Sequence, residues 1–177
     1  MKVVTISQEE GLCKKSFPKA KIVCAESIDL AFRMLSQGDI DSAFLSGLDE
    51  STIINLMKYD FVVTRSLEHD EKLFFLLGKF PKKPTGDDSS SFLIFSDHLR
   101  VTKNKIELLI REAKIPIIRF EDLILQEGNT PLYLLEVKGH IEDGKLSLLI
   151  KDMHTKYLLK HLGSYPSHDK NSSSSRK

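Results

Sequence analysis

The sequence contains few of the features that would place a chain in a specialised class of protein. Only two cysteines occur, Cys13 and Cys24, without a Cys-x-x-Cys spacing or a nearby histidine cluster, so neither a disulfide framework nor a zinc site is predicted. The longest uninterrupted apolar run is residues 73–77, far short of the roughly 20 residues that cross a bilayer. We therefore expect no metal and no membrane partner.

The chain also lacks a surplus of charge. Its 26 lysines and arginines face 25 aspartates and glutamates, which leaves a net charge of +1 and no bulk attraction for nucleic acid. The nine glycines form no Walker, dinucleotide or Gly-x-Ser-x-Gly motif, so no cofactor is predicted. Because the first residues have no signal-peptide core, we expect a cytoplasmic protein.

Composition divides the chain into four parts. Residues 79–91 (KFPKKPTGDDSSS) interrupt otherwise periodic sequence with proline, glycine and serine, and residues 167–177 contain no apolar side chain. We predict one lobe over residues 1–80, a linker over 81–91, a second domain over 92–166 and a disordered tail over 167–177.

The first part alternates strands with helices, which is typical of a three-layer α/β lobe with a mainly parallel sheet. Ser27 is placed to cap a helix that ends at Gly38, and either Asp49 or Ser51 caps the next. Five short strands are predicted, over residues 3–6, 22–25, 43–45, 61–64 and 73–77, with a polar helix over about 8–15.

The second part has the order β-α-β-β-α-β, the ferredoxin-like arrangement in which both helices cover one face of a four-stranded antiparallel sheet. Its strands are predicted over residues 92–95, 117–125 and 131–137 and from residue 157, with a hairpin turn over 126–129 and helices around 106–113 and 146–153.

Two motifs in this part are similar to those of a known protein family. Gly139-His140-x-x-Asp143 followed by residues 162–166 (LGSYP) is similar to the ACT regulatory domain that closes prephenate dehydratases, and residues 85–92 resemble the family's junction before it. The preceding part resembles the family's second catalytic lobe, of periplasmic-binding-protein type. The resemblance implies an amino-acid effector or a prephenate-like ligand, and a homodimer formed through the ACT domain.

The chain departs from the family where the chemistry resides. Lys72-Leu73-Phe74 occupies the position of a Thr-Arg-Phe triplet, whose hydroxyl assists loss of the prephenate hydroxyl and whose guanidinium faces the substrate carboxylates. A lysine cannot copy the planar, bidentate fork of arginine. The family's first lobe has no counterpart, so we expect no dehydration by this chain alone; alternatively, a partner chain supplies that lobe and the pair is active.

The effector site departs similarly. Residues 101–104 lack the family's Gly-Ala-Leu turn, and Glu121-Asp122-Leu123 keeps only the glutamate of Glu-Ser-Arg-Pro. Glu121, Asp122, Leu123 and His140 are the candidate ligand-binding residues. The alternatives are a solvated surface charge for Glu121 and a turn residue, rather than a subunit-interface contact, for His140.

Other side chains leave alternatives open. There are two interpretations of the polar stretch formed by Asp70, Glu71 and Lys72: it lines a remnant cleft, or it is a charged loop between strands. Ser7, Ser27 and Ser46 lie near predicted strand ends, where α/β sheets bind ligands, or serve as caps and turns.

Overall fold

The computed structural model describes residues 1–70, 72–95, 103–123 and 131–167. Within them the helices are α1 (Glu10–Ser16), α2 (Ile28–Gln37), α3 (Glu50–Lys58), α4 (Lys103–Glu112) and α5 (Gly144–His154). The strands are β1 (Lys2–Ile6), β2 (Lys21–Ala25), β3 (Ser42–Ser46), β4 (Val62–His69), β5 (Lys72–Gly78), β6 (Asp88–Phe95), β7 (Ile117–Leu123), β8 (Leu132–Lys138) and β9 (Leu158–Pro166).

Strands β1 to β5 form one sheet, sheet A, in the order β2-β1-β3-β5-β4. Strand β1 is parallel to β2 and β3, but β5 is antiparallel to both β3 and β4, so the prediction of a mainly parallel sheet is wrong. The reason is local, because no helix separates β4 from β5. A tight turn at Asp70, with φ of 48°, folds the two strands into a hairpin.

The predicted ends of the helices that pack on sheet A are confirmed. The Ser27 hydroxyl accepts a hydrogen bond from the Leu30 amide, and Gly38 ends α2 in the left-handed conformation with φ of 85°. Of the two possible caps of α3, it is Asp49 that accepts from the Thr52 amide, at 2.7 Å. The polar helix predicted over residues 8–15 is instead a 3-10 turn, Ser7–Glu9, followed by α1.

Strands β6 to β9 form sheet B, which is antiparallel with the order β7-β8-β6-β9. This is the predicted ferredoxin-like arrangement. One face of sheet B packs on α4 and α5 through Phe92, Ile94 and Leu135. The opposite face contributes Leu93 and Leu134 to a hydrophobic core that it shares with sheet A.

The boundary between the two parts differs from its prediction. Strand β6 begins at Asp88, inside the segment expected to be a linker, because residues 88–91 pair with both β8 and β9. Ser167, expected in the disordered tail, is bonded through its amide to the Asp87 carbonyl, at 2.8 Å. The turn over residues 126–129 and the tail over 168–177 lie outside the described residues.

The two sheets approach most closely where β9 crosses β4. A Cβ atom placed on Gly163, whose φ is 151°, would lie 2.2 Å from the Val63 carbonyl oxygen, so the two backbones are in direct contact there. Leu162 and Tyr165, on either side of this crossing, are buried in the shared core. Among the described residues, no helix combines the length and apolar character that spanning a bilayer requires.

Candidate functional site

The strand order of sheet A places a topological switch point, which we call the crevice, at the carboxyl ends of β1 and β3. Helix α1, which follows β1, packs on one face of the sheet through Cys13, whereas α2 and α3 pack on the other through residues such as Phe32 and Leu56. The chain therefore leaves two neighbouring parallel strands toward opposite faces. Such a point is where open α/β sheets bind ligands.

Glu9 joins the chain segments around this crevice. Its carboxylate is buried, and it accepts hydrogen bonds from the Ser46 amide at 2.9 Å and from the Thr5 hydroxyl at 3.4 Å. The Gly47 amide in turn donates to the Leu73 carbonyl at 2.7 Å. The ends of β1 and β3 and the beginning of β5 are thus held together by specific bonds.

Lys72-Leu73-Phe74 begins β5 at this crevice. Phe74 is buried and stacks on Phe44, with ring centroids 5.3 Å apart, while Leu73 packs against the shared core on the opposite face of the sheet. Lys72 is exposed, and it lies opposite His69 in the register of the hairpin. The triplet itself therefore offers an exposed ammonium group and contains neither a hydroxyl nor a guanidinium.

The three candidate serines all follow strands at this edge of sheet A. Ser7 is exposed in the 3-10 turn after β1, and Ser46 ends β3. Ser27 follows β2, where its hydroxyl is occupied as the cap of α2. At the hairpin tip, Asp70 lies 3.3 Å from the His69 ring as the turn residue, and Glu71 lies outside the described residues.

A second polar cluster lies between the sheets, around Arg119 on β7. Its guanidinium donates to Glu121 on the same strand at 2.7 Å and to Glu68 on β4 at 3.0 Å. Its Nε atom lies 3.8 Å from the buried carboxylate of Glu136. Glu121 is therefore half-exposed and paired, as the surface-charge interpretation expected, but the same arginine also reaches sheet A.

Tyr165 continues this cluster into the core. Its fully buried hydroxyl donates to Glu136 at 3.0 Å and is also hydrogen-bonded to Ser91, and Ser66 of β4 lies beside it. Burial, and next the negative charge of Glu136, raise the pKa of this phenol far above its ordinary value. Tyr165 is therefore a neutral hydrogen-bonding group at any physiological pH.

The other candidate ligand-binding residues are dispersed. Asp122 pairs with Lys103 of α4 at 3.0 Å, and Leu123 packs against the shared core. His140 is buried, with Nδ1 accepting from the Glu142 amide at 3.2 Å and Nε2 lying 3.1 Å from the Lys82 carbonyl oxygen. These bonds support the turn interpretation of His140.

One serine and histidine pair has the spacing of a catalytic dyad. The Ser164 hydroxyl lies 3.2 Å from the His161 Nε2 atom, and burial lowers the pKa of this histidine to about 4. Ser164 is only 2% exposed, however, and it also accepts from the Ile141 amide and bonds Ser90. No substrate reaches this hydroxyl in the described fold. No metal-holding group of three or more His, Cys, Asp or Glu side chains occurs within the ranges that the structure describes.

Sequence reasoning missed several residues of these two regions. Glu9 gives a weak signal, a carboxylate placed directly after a strand, but nothing in the pattern shows that it is buried. Glu136 interrupts the apolar run of residues 132–137 in β8, where a buried charge suggests a specific partner. Tyr165 was recognised only as part of a motif.

The comparisons with known proteins agree on the fold. No protein-family model and no curated protein sequence matches the chain. A solved structure described as GqqA, a novel type of quorum quenching acylase, superposes with a TM-score of 0.80 at 14% identity, over 94% of this chain and 95% of that one.

Two prephenate dehydratases superpose similarly. The Streptococcus mutans enzyme gives a TM-score of 0.72 at 16% identity, over 93% of this chain and 97% of that one. The Arthrobacter aurescens enzyme, in complex with L-Phe, gives 0.74 at 11% identity, over 96% and 91%. Because these identities are low, they show the fold alone: the chain is a mixed α/β protein with the fold of the prephenate dehydratases.

Proposed function

We propose that this protein is a prephenate dehydratase-like chain that does not dehydrate prephenate by itself and acts as a small-molecule-sensing or interaction module of the ACT type. Sheet B, through Glu121 and Asp122 on β7, is the part that would take an amino-acid effector or a related molecule. The crevice of sheet A would be a remnant of a substrate cleft.

The observation that carries this proposal is the environment of Lys72-Leu73-Phe74. Leu73 and Phe74 are packed on opposite faces of sheet A, and the remaining polar group is a single flexible ammonium. Loss of a hydroxyl leaving group needs a proton donor, and a dicarboxylate substrate needs oriented cations. Lys72 supplies charge without the second, oriented contact.

The first experiment measures phenylpyruvate formation from prephenate by the purified chain, with and without phenylalanine. We expect no turnover above that of buffer. Clear turnover that disappears in Lys72→Ala, but persists in the surface variant Lys14→Ala, would refute the non-catalytic part of the proposal.

Effector binding is tested separately by calorimetric titration with each of the twenty amino acids. We expect heat from at least one of them, and loss of that heat in Glu121→Gln. Glu107→Gln is the matched control, because Glu107 is a surface carboxylate of α4 that pairs only with Arg111 of the same helix among the interactions described. Absence of heat from every amino acid would exclude this class of effector.

An active enzyme completed by another chain is the alternative within the same family. Support for it would be a neighbouring reading frame that encodes a first lobe, and turnover on mixing the two chains. A homodimer through sheet B belongs to the main proposal, and a monomer by light scattering at micromolar concentration would count against it.

A second candidate function is amide hydrolysis, favoured by the TM-score of 0.80 to a quorum quenching acylase. The chemistry would need an accessible nucleophile or activated water, and the exposed Ser7 at the crevice is the candidate nucleophile, because the Ser27 hydroxyl is occupied as a helix cap. Release of free amine from N-acylated amino compounds, and its loss in Ser7→Ala, would support this function. Ser36→Ala on the surface of α2 is the control.

A further inference from the structure

The β4–β5 hairpin faces sheet B through a cluster of polar side chains, which we call the interface ring. Two residues of β4, Ser66 and Glu68, lie two positions apart and so point to the same face of the strand. Glu68 binds Arg119 at 3.0 Å, and Ser66 lies beside Tyr165. Glu136 accepts from the Tyr165 hydroxyl, and its carboxylate lies 3.8 Å from the Arg119 Nε atom, beyond hydrogen-bonding distance.

One side of the interface ring is fixed and the other is adjustable. Glu136 and Tyr165 are buried and bonded to each other, so they cannot move without leaving polar atoms unpaired. Glu68 and Glu121 are half-exposed and bind the two terminal nitrogens of the same guanidinium, Nη2 and Nη1. A change at one of these carboxylates therefore alters the charge that Arg119 offers to the other.

The hairpin extends this connection to the crevice of sheet A. Glu68 is the register partner of Leu73, whose carbonyl accepts from the Gly47 amide at the end of β3. The path from Glu121 to the crevice thus consists of two ion pairs that share one guanidinium, one strand pair and one backbone hydrogen bond. Each step is a direct contact.

We propose that Arg119 is a positioning residue that couples occupancy of β7 to the position of the hairpin that carries Lys72. A ligand ammonium group that binds Glu121 withdraws this carboxylate from Arg119, and the guanidinium then binds Glu68 more strongly because Glu121 no longer competes for it. The hairpin is held more tightly as a result. This inference rests on the proposed ligand-binding role of β7, and by linkage the coupling acts equally in the reverse direction.

The test uses amide hydrogen exchange of the full chain without ligand, so that its outcome is independent of whether an effector is ever found. Three variants keep Arg119 in place: Glu68→Gln, Glu121→Gln and Asp122→Asn. We expect Glu68→Gln to accelerate exchange in peptides covering residues 62–78 by about two- to fivefold, the range for a half-exposed ion pair. We expect Glu121→Gln to slow it, because Glu68 then has less competition.

Asp122→Asn is the matched control. It removes an ion pair that is also 3.0 Å long and also involves β7, but whose partner, Lys103, belongs to α4. Exchange in residues 62–78 should be unchanged in this variant. The proposal is wrong if Glu121→Gln and Glu68→Gln shift hairpin exchange in the same direction, if Glu68→Gln has no effect, or if Asp122→Asn has as large an effect.

Discussion

Replacing Gly163 by alanine tests how the two sheets are joined. The added Cβ would lie 2.2 Å from the Val63 carbonyl oxygen, 2.8 Å from its nitrogen and 3.0 Å from its carbonyl carbon. All three atoms are backbone, and Val63 is itself fully buried, so no side chain can rotate away to make room. Strand β9 would have to move away from β4.

Two costs add in this variant. Forcing an extra methyl group into a packed interface costs about 1–3 kcal/mol. A non-glycine residue held at φ of 151° adds backbone strain of about 1–3 kcal/mol. We therefore expect Gly163→Ala to lower the free energy of unfolding by about 2–6 kcal/mol, a large share of the ~5–15 kcal/mol typical of a folded domain.

Gly86→Ala separates the two costs. Gly86 also has a positive φ, 91°, but a Cβ there meets no atom within 4 Å, so this variant carries backbone strain alone. Urea unfolding followed by circular dichroism gives both free energies. If Gly163→Ala is no more destabilising than Gly86→Ala, the close contact between β9 and β4 does not hold the sheets together and the reasoning is refuted.

Three other predictions follow from burial. Because burial lowers the pKa of His161 to about 4, the unfolded chain binds a proton at higher pH than the folded chain does. The free energy of unfolding should therefore fall by up to about 3 kcal/mol from pH 7 to pH 4. Urea unfolding should show that this loss disappears in His161→Gln and remains in His154→Gln, which changes an exposed histidine. Burial also raises the pKa of the Cys13 thiol to about 12. Iodoacetamide at pH 8, followed by mass spectrometry, should therefore modify only the exposed Cys24 in the native protein and both thiols in urea. Two modified thiols in the native state would contradict the burial of Cys13. Phe74→Ala should lower the free energy of unfolding by about 3–5 kcal/mol through the cavity left beside Phe44, whereas a loss below 1 kcal/mol in the same urea assay would mean that this stack is not part of the core.

The elements of sheet B were predictable because their signals are local. Helices α4 and α5 each have one apolar stripe at helical spacing, and β6 contains a short continuous apolar run, residues 92–95, which is typical of a strand buried on both faces. The ends of α2 were predictable for the same reason, since Ser27 and Gly38 act on the backbone within one turn.

The length of β4 could not be predicted, because its second half is polar. The predicted strand ends at residue 64, yet residues 65–69 (RSLEH) continue it, and their polar side chains find partners far away in the sequence. Ser66 lies beside Tyr165, and Glu68 binds Arg119 on β7. Pairing across 51 residues of sequence leaves no trace in local periodicity.

The burial of Glu9 was hidden in the same way. A glutamate at the start of a short polar helix is ordinarily solvated, but the arrangement of β1 and β3 places the Ser46 amide against it, 37 residues away in sequence. Which loops meet at the crevice follows from strand order. The sequence pattern predicts where the strands lie, but it also predicts a mainly parallel sheet. The neighbours of β5, and with them the segments that meet at the crevice, therefore could not be assigned from the sequence.

The motif that carries the family resemblance serves packing rather than chemistry. Within residues 162–166, Leu162 lies in the shared core, Gly163 contacts the Val63 backbone and Ser164 accepts from the Ile141 amide. A chain can keep such a motif for as long as two sheets must join in this way, whatever reaction the protein performs. Lys72-Leu73-Phe74, by contrast, lies away from this junction, at the start of β5. Likeness in the motif and in the fold therefore reports how the sheets are joined, and the proposed functions are tested by substitutions at Lys72 and Glu121.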